Sequence, residues 1–288
     1  MFQDLLGKIN DFTPLGFDEA SLQISEYVNT CENFIDILKQ IGTIPESIEF
    51  DSTEEKLFSK ASDAVLARAF RELGLKATIL KERGDSADVQ AESLYHSYSL
   101  VADAKAFRLS RTAKNQKDFK VVALSGWRND ADYAVLCAPY FQYPIKQSQI
   151  YAQALEYNVC LLSWEHIIFL IENNIKETAE INLSALWNAS EDYAQRCVVA
   201  ERKKCFISEV NNLILQFSQK SSEEIKSFLE TCRNSIIERA ETEKAFWREE
   251  TARIMSLTRD QAISELVKAR KIDEKISQIQ KYIAGIKV

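Results

Sequence analysis

The stretch Leu100-Val101-Ala102-Asp103-Ala104-Lys105 closes an apolar run with an acid and a base two residues apart. Successive side chains of a strand alternate faces, so Asp103 and Lys105 share one. A second acid, Asp88, lies upstream. If residues 86–92 and 98–104 pair as a hairpin centred between Tyr95 and His96, Asp88 stands opposite Asp103, with Cβ atoms ~5 Å apart. Two carboxylates that close repel unless a cation lies between them. A hard divalent ion such as Mg²⁺ suits these donors, and the backbone carbonyl of Ala104 could add a ligand. Lys105 would then orient or deprotonate an attacking water and offset charge in the transition state. That combination suits phosphodiester hydrolysis. Glu55 has two readings: it holds a metal-bound water or a second ion, or it belongs to a helix cap with Ser52.

An acid-x-lysine pattern is weak by itself. Glu54–Lys56, Asp118–Lys120, Glu201–Lys203, Glu224–Lys226 and Asp273–Lys275 repeat it. Most of these fall on expected helices, where positions i and i+2 face apart. Only Asp103–Lys105 ends an apolar strand with a matched upstream acid. The hairpin lacks an Asn-Gly or Gly-x turn to fix its register.

A basic run follows at once. Lys105, Arg108, Arg111, Lys114, Lys117 and Lys120 are opposed only by Asp118, a local excess of +5 in a chain of net charge -7. Such a run can track a nucleic-acid backbone, and Asn115, Gln116, Lys117 and Asp118 carry groups able to read base edges. The plainer alternatives are a solvated helix face and Asn115 as a helix cap.

Around these residues the pattern reads as an α/β fold. Residues 1–48 are expected to be helical, with one run from Ala20 to Ile41 that Gly42 stops. Residues 51–74 form the clearest helix, capped by Ser52 and ended by Gly74. Short β-prone runs follow at 77–80, 87–90, 98–102, 133–137 and 159–162. Helices are expected over 115–128, 147–156 and 164–172. This order implies a mixed central sheet flanked by helices, antiparallel at one end and parallel at the other. Beyond 175 the chain reads as a charged helical extension, with capping patterns at Ser221/Glu224 and Thr258/Gln261. Ile272, Ile276, Ile279, Ile283 and Ile286 form a short seam that packs on its own domain or on a second subunit. The whole chain, 1–288, is expected to be one nuclease-type domain: N-terminal helices over 1–50, an α/β core over 51–174, and the extension over 175–288, which supplies possible dimer contacts.

Composition narrows the chemistry. Six cysteines without a Cys-x-x-Cys pair and two histidines make a zinc site improbable. The cysteines read as reduced, mostly buried thiols of a cytoplasmic protein. No apolar stretch is long enough for a membrane span.

The segment 100–121, LVADAKAFRLSRTAKNQKDFKV, resembles type II restriction endonucleases of the PD-(D/E)xK superfamily. So do Glu55-Lys-Leu-Phe-Ser-Lys60, Arg83-Gly84 with Asp88-Val89, Asp132-Tyr-Ala-Val-Leu136, Phe141-Gln-Tyr-Pro144 and Ser163-Trp-Glu-His166. The similarity is strongest over 50–170 and looser at both ends. It implies a restriction-endonuclease-like fold, a homodimer acting on double-stranded DNA, and dependence on Mg²⁺, for which Mn²⁺ substitutes. It also implies cleavage of the palindrome AAGCTT after the first A, leaving 5′ overhangs and 5′-phosphates. Asp88 and Asp103 become metal ligands, Lys105 the catalytic lysine, and 115–118 a segment that contacts the site. Ala87 stands where the motif has proline. A methyltransferase protecting host DNA is an implied companion. A DNA-binding protein without catalysis and a helical scaffold are the competing readings.

Overall fold

The structure, a computed structural model, describes residues 2–80, 86–111 and 115–285. It divides into two compact units, Met1–Glu238 and Arg239–Val288.

The first unit opens with α1 (Phe2–Phe12), α2 (Phe17–Thr30), α3 (Phe34–Leu38) and α4 (Thr53–Glu72). The single helix expected over Ala20–Ile41 is in fact two. Cys31 turns to extended backbone (φ -63°, ψ 134°) after α2. The cause is tertiary: Arg68 of α4 donates to the carbonyls of Val28 (2.6 Å) and Cys31 (2.8 Å), which satisfies the helix end from outside. Its guanidinium also stacks on Phe34, 4.4 Å from the ring centre. Gly42 is a spacer rather than a helix stop, because a Cβ there would lie 2.7 Å from Trp164 Cδ1. Ser52 caps α4 as expected by accepting from the Glu55 N–H. Gly74 ends it with φ +86°, a conformation that glycine adopts at least cost.

The sheet holds β1 (Leu75–Ile79), β2 (Val89–Ser93), β3 (Ser99–Ala104), β4 (Tyr133–Ala138) and β5 (Val159–Ser163) in spatial order β1-β2-β3-β4-β5. β1–β2 and β2–β3 pair antiparallel, while β3–β4 and β4–β5 pair parallel, so the mixed sheet has the expected two ends. The connection β2–β3 needs no Asn-Gly, because the Ser93 hydroxyl accepts from the N–H groups of Tyr95 (3.1 Å) and His96 (2.8 Å).

Both faces of the parallel half are covered. Leu100 and Ala102 of β3 join a core with Phe58, Ala61 and Val65 of α4. Val101 turns to the opposite side, against Phe119, Val121 and Leu124. The helix expected over 115–128 divides into α5 (Gln116–Phe119) and α6 (Val121–Trp127), broken at Lys120 with φ 51°. Then come α7 (Gln149–Tyr157) and α8 (Trp164–Glu172), close to their expected bounds. α9 (Ser184–Trp187), α10 (Ala189–Arg196), α11 (Ile207–Ser218) and α12 (Ser222–Met255) continue the chain.

In the second unit, α13 (Arg259–Ala269) opens with the Thr258/Gln261 capping box, and α14 (Ile272–Gly285) carries the isoleucine seam. Ile276, Ile279 and Ile283 are exposed there. All six cysteines are free; Cys31, Cys137 and Cys160 are buried, and the other three are half-buried. Among the described residues no helix is long and apolar enough to cross a membrane.

Candidate active site

The hairpin register decides where the acids meet. Val89 pairs with Ala102 and Glu92 with Ser99, which centres the turn between Tyr95 and His96. Asp88 sits one step before β2. Its N–H donates to the Ala102 carbonyl (3.0 Å), and its own carbonyl accepts from Leu80 N–H (2.9 Å). The ladder to β1 therefore continues one residue past the strand, but on the β3 side Asp88 and Val89 both meet Ala102, so Asp88 is not a register partner of Asp103; the two carboxylates meet as neighbours in one cleft. The Asp88 carboxylate is held in place by the Ala104 N–H, at 3.1 Å.

Lys105 forms an ion pair with Asp103, and both side chains are largely buried. The lysine backbone is clamped on both sides. Its N–H donates to the Cys137 carbonyl of β4 (2.8 Å), and its carbonyl accepts from the Trp164 indole N–H (2.9 Å). Trp164 is buried at the start of α8, where the absence of a side chain at Gly42 leaves it room. Beyond the lysine, Phe107 N–H donates to the Gly42 carbonyl (3.0 Å), which turns the basic run along residues 42–46.

Ser59, Lys60, Asp63, Ser86, Asp88, Asp103, Ala104, Lys105, Ala106, Lys120 and Trp127 line one cleft of about 250 Å³. Asp63 is the residue that sequence reasoning missed. It lies in the middle of α4, buried, with its carboxylate 2.9 Å from Lys60 Nζ. Burial and the Asp88 charge raise its pKa far above the usual carboxylate range, and Lys60 pulls the other way. Asp103 is raised by burial; Lys105 opposes the shift and Asp88 adds to it. A signal for Asp63 existed: a charged residue interrupts the small and apolar run from Ala61 to Ala67 of α4, three residues after a lysine.

Three crowded carboxylates form a hard oxygen donor set, the chemistry that a divalent cation neutralises. Asp103 Oδ2 is buried against the Lys105 ammonium. The donor set therefore fits a hard cation. Among the described residues no three His, Cys, Asp or Glu side chains converge as ligands of one ion. Lys60 and Lys105 engage two of the three carboxylates instead.

The other expected residues lie elsewhere. Glu55 is outside the cleft lining; its carboxylate accepts from Asp51 N–H (2.7 Å) and pairs with Arg108 (2.7 Å). Arg108 also donates to the Pro45 carbonyl at 2.9 Å, and its side chain is only 14% exposed. Asn115 and Asp118 build a capping box for α5: Asn115 Oδ1 accepts from Lys117 N–H (2.9 Å), and Asp118 Oδ2 accepts from Asn115 N–H (2.7 Å). Asp118 also pairs with Arg111. Lys117 is exposed. Lys120 lies over Trp127 at the cleft, 5.7 Å from the ring centre. Lys114 falls outside the described residues.

A mixed five-stranded sheet flanked by helices, with two acids and a lysine gathered at its strand ends, has the architecture of a restriction-endonuclease-like nuclease. Comparison with known proteins agrees. The profile of the HindIII restriction endonuclease family matches residues 11–283. The type II restriction enzyme HindIII of Haemophilus influenzae (strain ATCC 51907 / DSM 11121 / KW20 / Rd) is 41% identical over 287 residues, covering 99% of this chain and 96% of that enzyme. The chain belongs to the HindIII restriction endonuclease family, and with it to the site-specific deoxyribonucleases.

Proposed function

We propose that this chain is a Mg²⁺-dependent type II restriction endonuclease that cuts AAGCTT after the first A, leaving 5′ overhangs and 5′-phosphates. The gathering of the Asp88 and Asp103 carboxylates with Lys105 in one cleft supports this reading most directly. Asp88 and Asp103 would hold the cation, with the Ala104 carbonyl completing the protein's share; Mn²⁺ would substitute for Mg²⁺. When bound, the ion supplies positive charge to a phosphate oxygen and acidity to water. Lys105 Nζ orients the attacking water and offsets the charge that grows on the phosphate oxygens. The backbone clamp from Cys137 and Trp164 holds that lysine in register. We assign Glu55 to the placement of Arg108 rather than to the metal, since its carboxylate is engaged by Arg108 and the Asp51 N–H.

A palindromic site suits a two-fold homodimer in which each protomer cuts one strand. The chain would act in the cytoplasm beside a methyltransferase that shields host DNA. Arg111, Lys114, Lys117 and Lys120 would carry phosphate contacts, and residues 115–118 would approach the bases. Residues 1–288 would act as one nuclease domain, with dimer contacts from 175–288. The test is digestion of a plasmid of known sequence in Mg²⁺ and in EDTA, with the ends mapped. Binding of AAGCTT duplexes without cleavage in Mg²⁺ or Mn²⁺ would overturn it in favour of a non-catalytic DNA-binding protein.

A further inference from the structure

The Lys60–Asp63 pair is not an ordinary helix-surface ion pair. Pairs three residues apart on a helix normally expose both partners and contribute ~0–1 kcal/mol. Here the Asp63 side chain is 5% exposed and Lys60 36%. The lysine reaches from the rim to a carboxylate that the fold has buried beside two others. Asp63 meets the charge of both Asp88 and Asp103. Lys60 also lines a second, larger groove that leaves the acidic cleft along α2 and β1, past Phe17, Ser21, Leu22 and Thr78. It therefore stands where the acidic cleft meets the larger groove.

We propose that Lys60 is a tethered counter-ion of the acidic centre: it competes with a divalent cation for the charge of Asp63 and its neighbours, and turns to a DNA phosphate once that cation binds. The proposal rests on the cation-binding reading above. Its logic is charge balance. Lys60 and Lys105 together carry the same charge as one divalent ion, and each engages one of the crowded acids. A cation between the carboxylates repels both ammonium groups and removes the need for either. Lys105 remains pinned through its backbone to β4 and α8. Lys60, on a flexible stem at the rim, is the one able to move. A phosphodiester passing from the cleft into the groove offers it a new anionic partner.

The proposal predicts effects of opposite sign. Lys60→Met should tighten Mn²⁺ binding in the absence of DNA, on the order of tenfold, because a repelling charge a few ångströms away is gone. The same variant should lower the salt dependence of duplex binding in Mn²⁺ by about one phosphate contact. Lys60→Arg should keep both properties near the parent. The measurements are calorimetric Mn²⁺ titration of the full chain, and duplex binding across a salt series. The duplex carries AAGCTT with non-hydrolysable phosphonate linkages. Lys60→Gln, with circular dichroism as a check on folding, serves if the Met variant does not fold. Unchanged or weaker Mn²⁺ affinity in folded Lys60→Met or Lys60→Gln overturns the proposal while parental Mn²⁺ binding leaves the cation site standing. No Mn²⁺ binding by the parent overturns both.

Discussion

Asp63→Asn should make the protein more stable at alkaline pH and no more stable in acid. The pKa of Asp63 is pushed up to about 8, first by burial and then by Asp88, against an opposing effect of Lys60. In the unfolded chain an aspartate titrates near ~3.9. A folded pKa above the unfolded one means that the group's contribution is fully present below about pH 4 and is lost as pH rises through about 8. At pH 8 the ceiling on that loss is about 5 kcal/mol, at ~1.4 kcal/mol for each tenfold change in the acid dissociation constant. Asparagine escapes that cost, which is already net of the Lys60 attraction, but brings an amide NH₂ whose hydrogens need acceptors in a buried site shaped around Lys60, at ~1–3 kcal/mol. The balance is a gain of about 2–4 kcal/mol, or roughly 4–16 °C in Tm for a unit of this size. Towards pH 4 the gain vanishes, because Asp63 is then neutral in the folded protein and asparagine offers Lys60 the same single carbonyl acceptor. Thermal melts followed by circular dichroism in EDTA, at pH 5 and pH 8, measure the difference. If Asp63→Asn is as destabilised at pH 8 as at pH 5, the carboxylates are not in conflict and the reasoning fails.

Asp103→Asn should abolish plasmid cleavage and spare specific duplex binding in gel-shift titrations; retained cutting removes Asp103 from the centre. Trp164→Phe leaves the partly buried Lys105 carbonyl without its donor, which costs ~1 kcal/mol in urea unfolding. It should also lower the single-turnover cleavage rate more than DNA affinity, and an unaltered rate would show that the clamp does not position the lysine. Asn115→Ala should remove the cap of α5, about 1 kcal/mol of stability. It should also change site preference among AAGCTT-like sequences; lost stability with unchanged preference would assign residue 115 to structure alone.

Much of the fold was legible because its signals are local. The hairpin register follows from alternation: Val89, Ala91, Leu100 and Ala102 face one core, and any one-residue slip would bury Gln90 and expose Val89. That alternation also brought Asp88 and Asp103 to one end of the hairpin, although Asp88 meets Ala102 rather than the expected partner, Asp103. The break after α2 was not legible, since it depends on Arg68, 37 residues away from Cys31 in the chain. The kink at Lys120 was equally hidden: its positive φ is unusual for lysine, and no glycine or proline marks it. Asp63 was missed because helical periodicity treats an isolated charged residue in a small and apolar run as noise. Only the arrival of β2 and β3 beside α4 turns it into part of the centre.

The basic run illustrates why a charge count misleads. Its excess of +5 suggests a continuous track for phosphates. In the fold Arg108 is spent on Glu55 and the Pro45 carbonyl, and Arg111 pairs with Asp118. These contacts anchor the segment that follows Lys105 and so fix the lysine's position. The charge at the cleft comes from Lys60, Lys105 and Lys120, and the first of these lies far outside the run. A protein of net charge -7 can therefore approach DNA without a broad basic face. It needs only a few lysines gathered round acids whose repulsion a cation relieves. The number of counterions released on DNA binding should follow those gathered lysines rather than the length of the basic run.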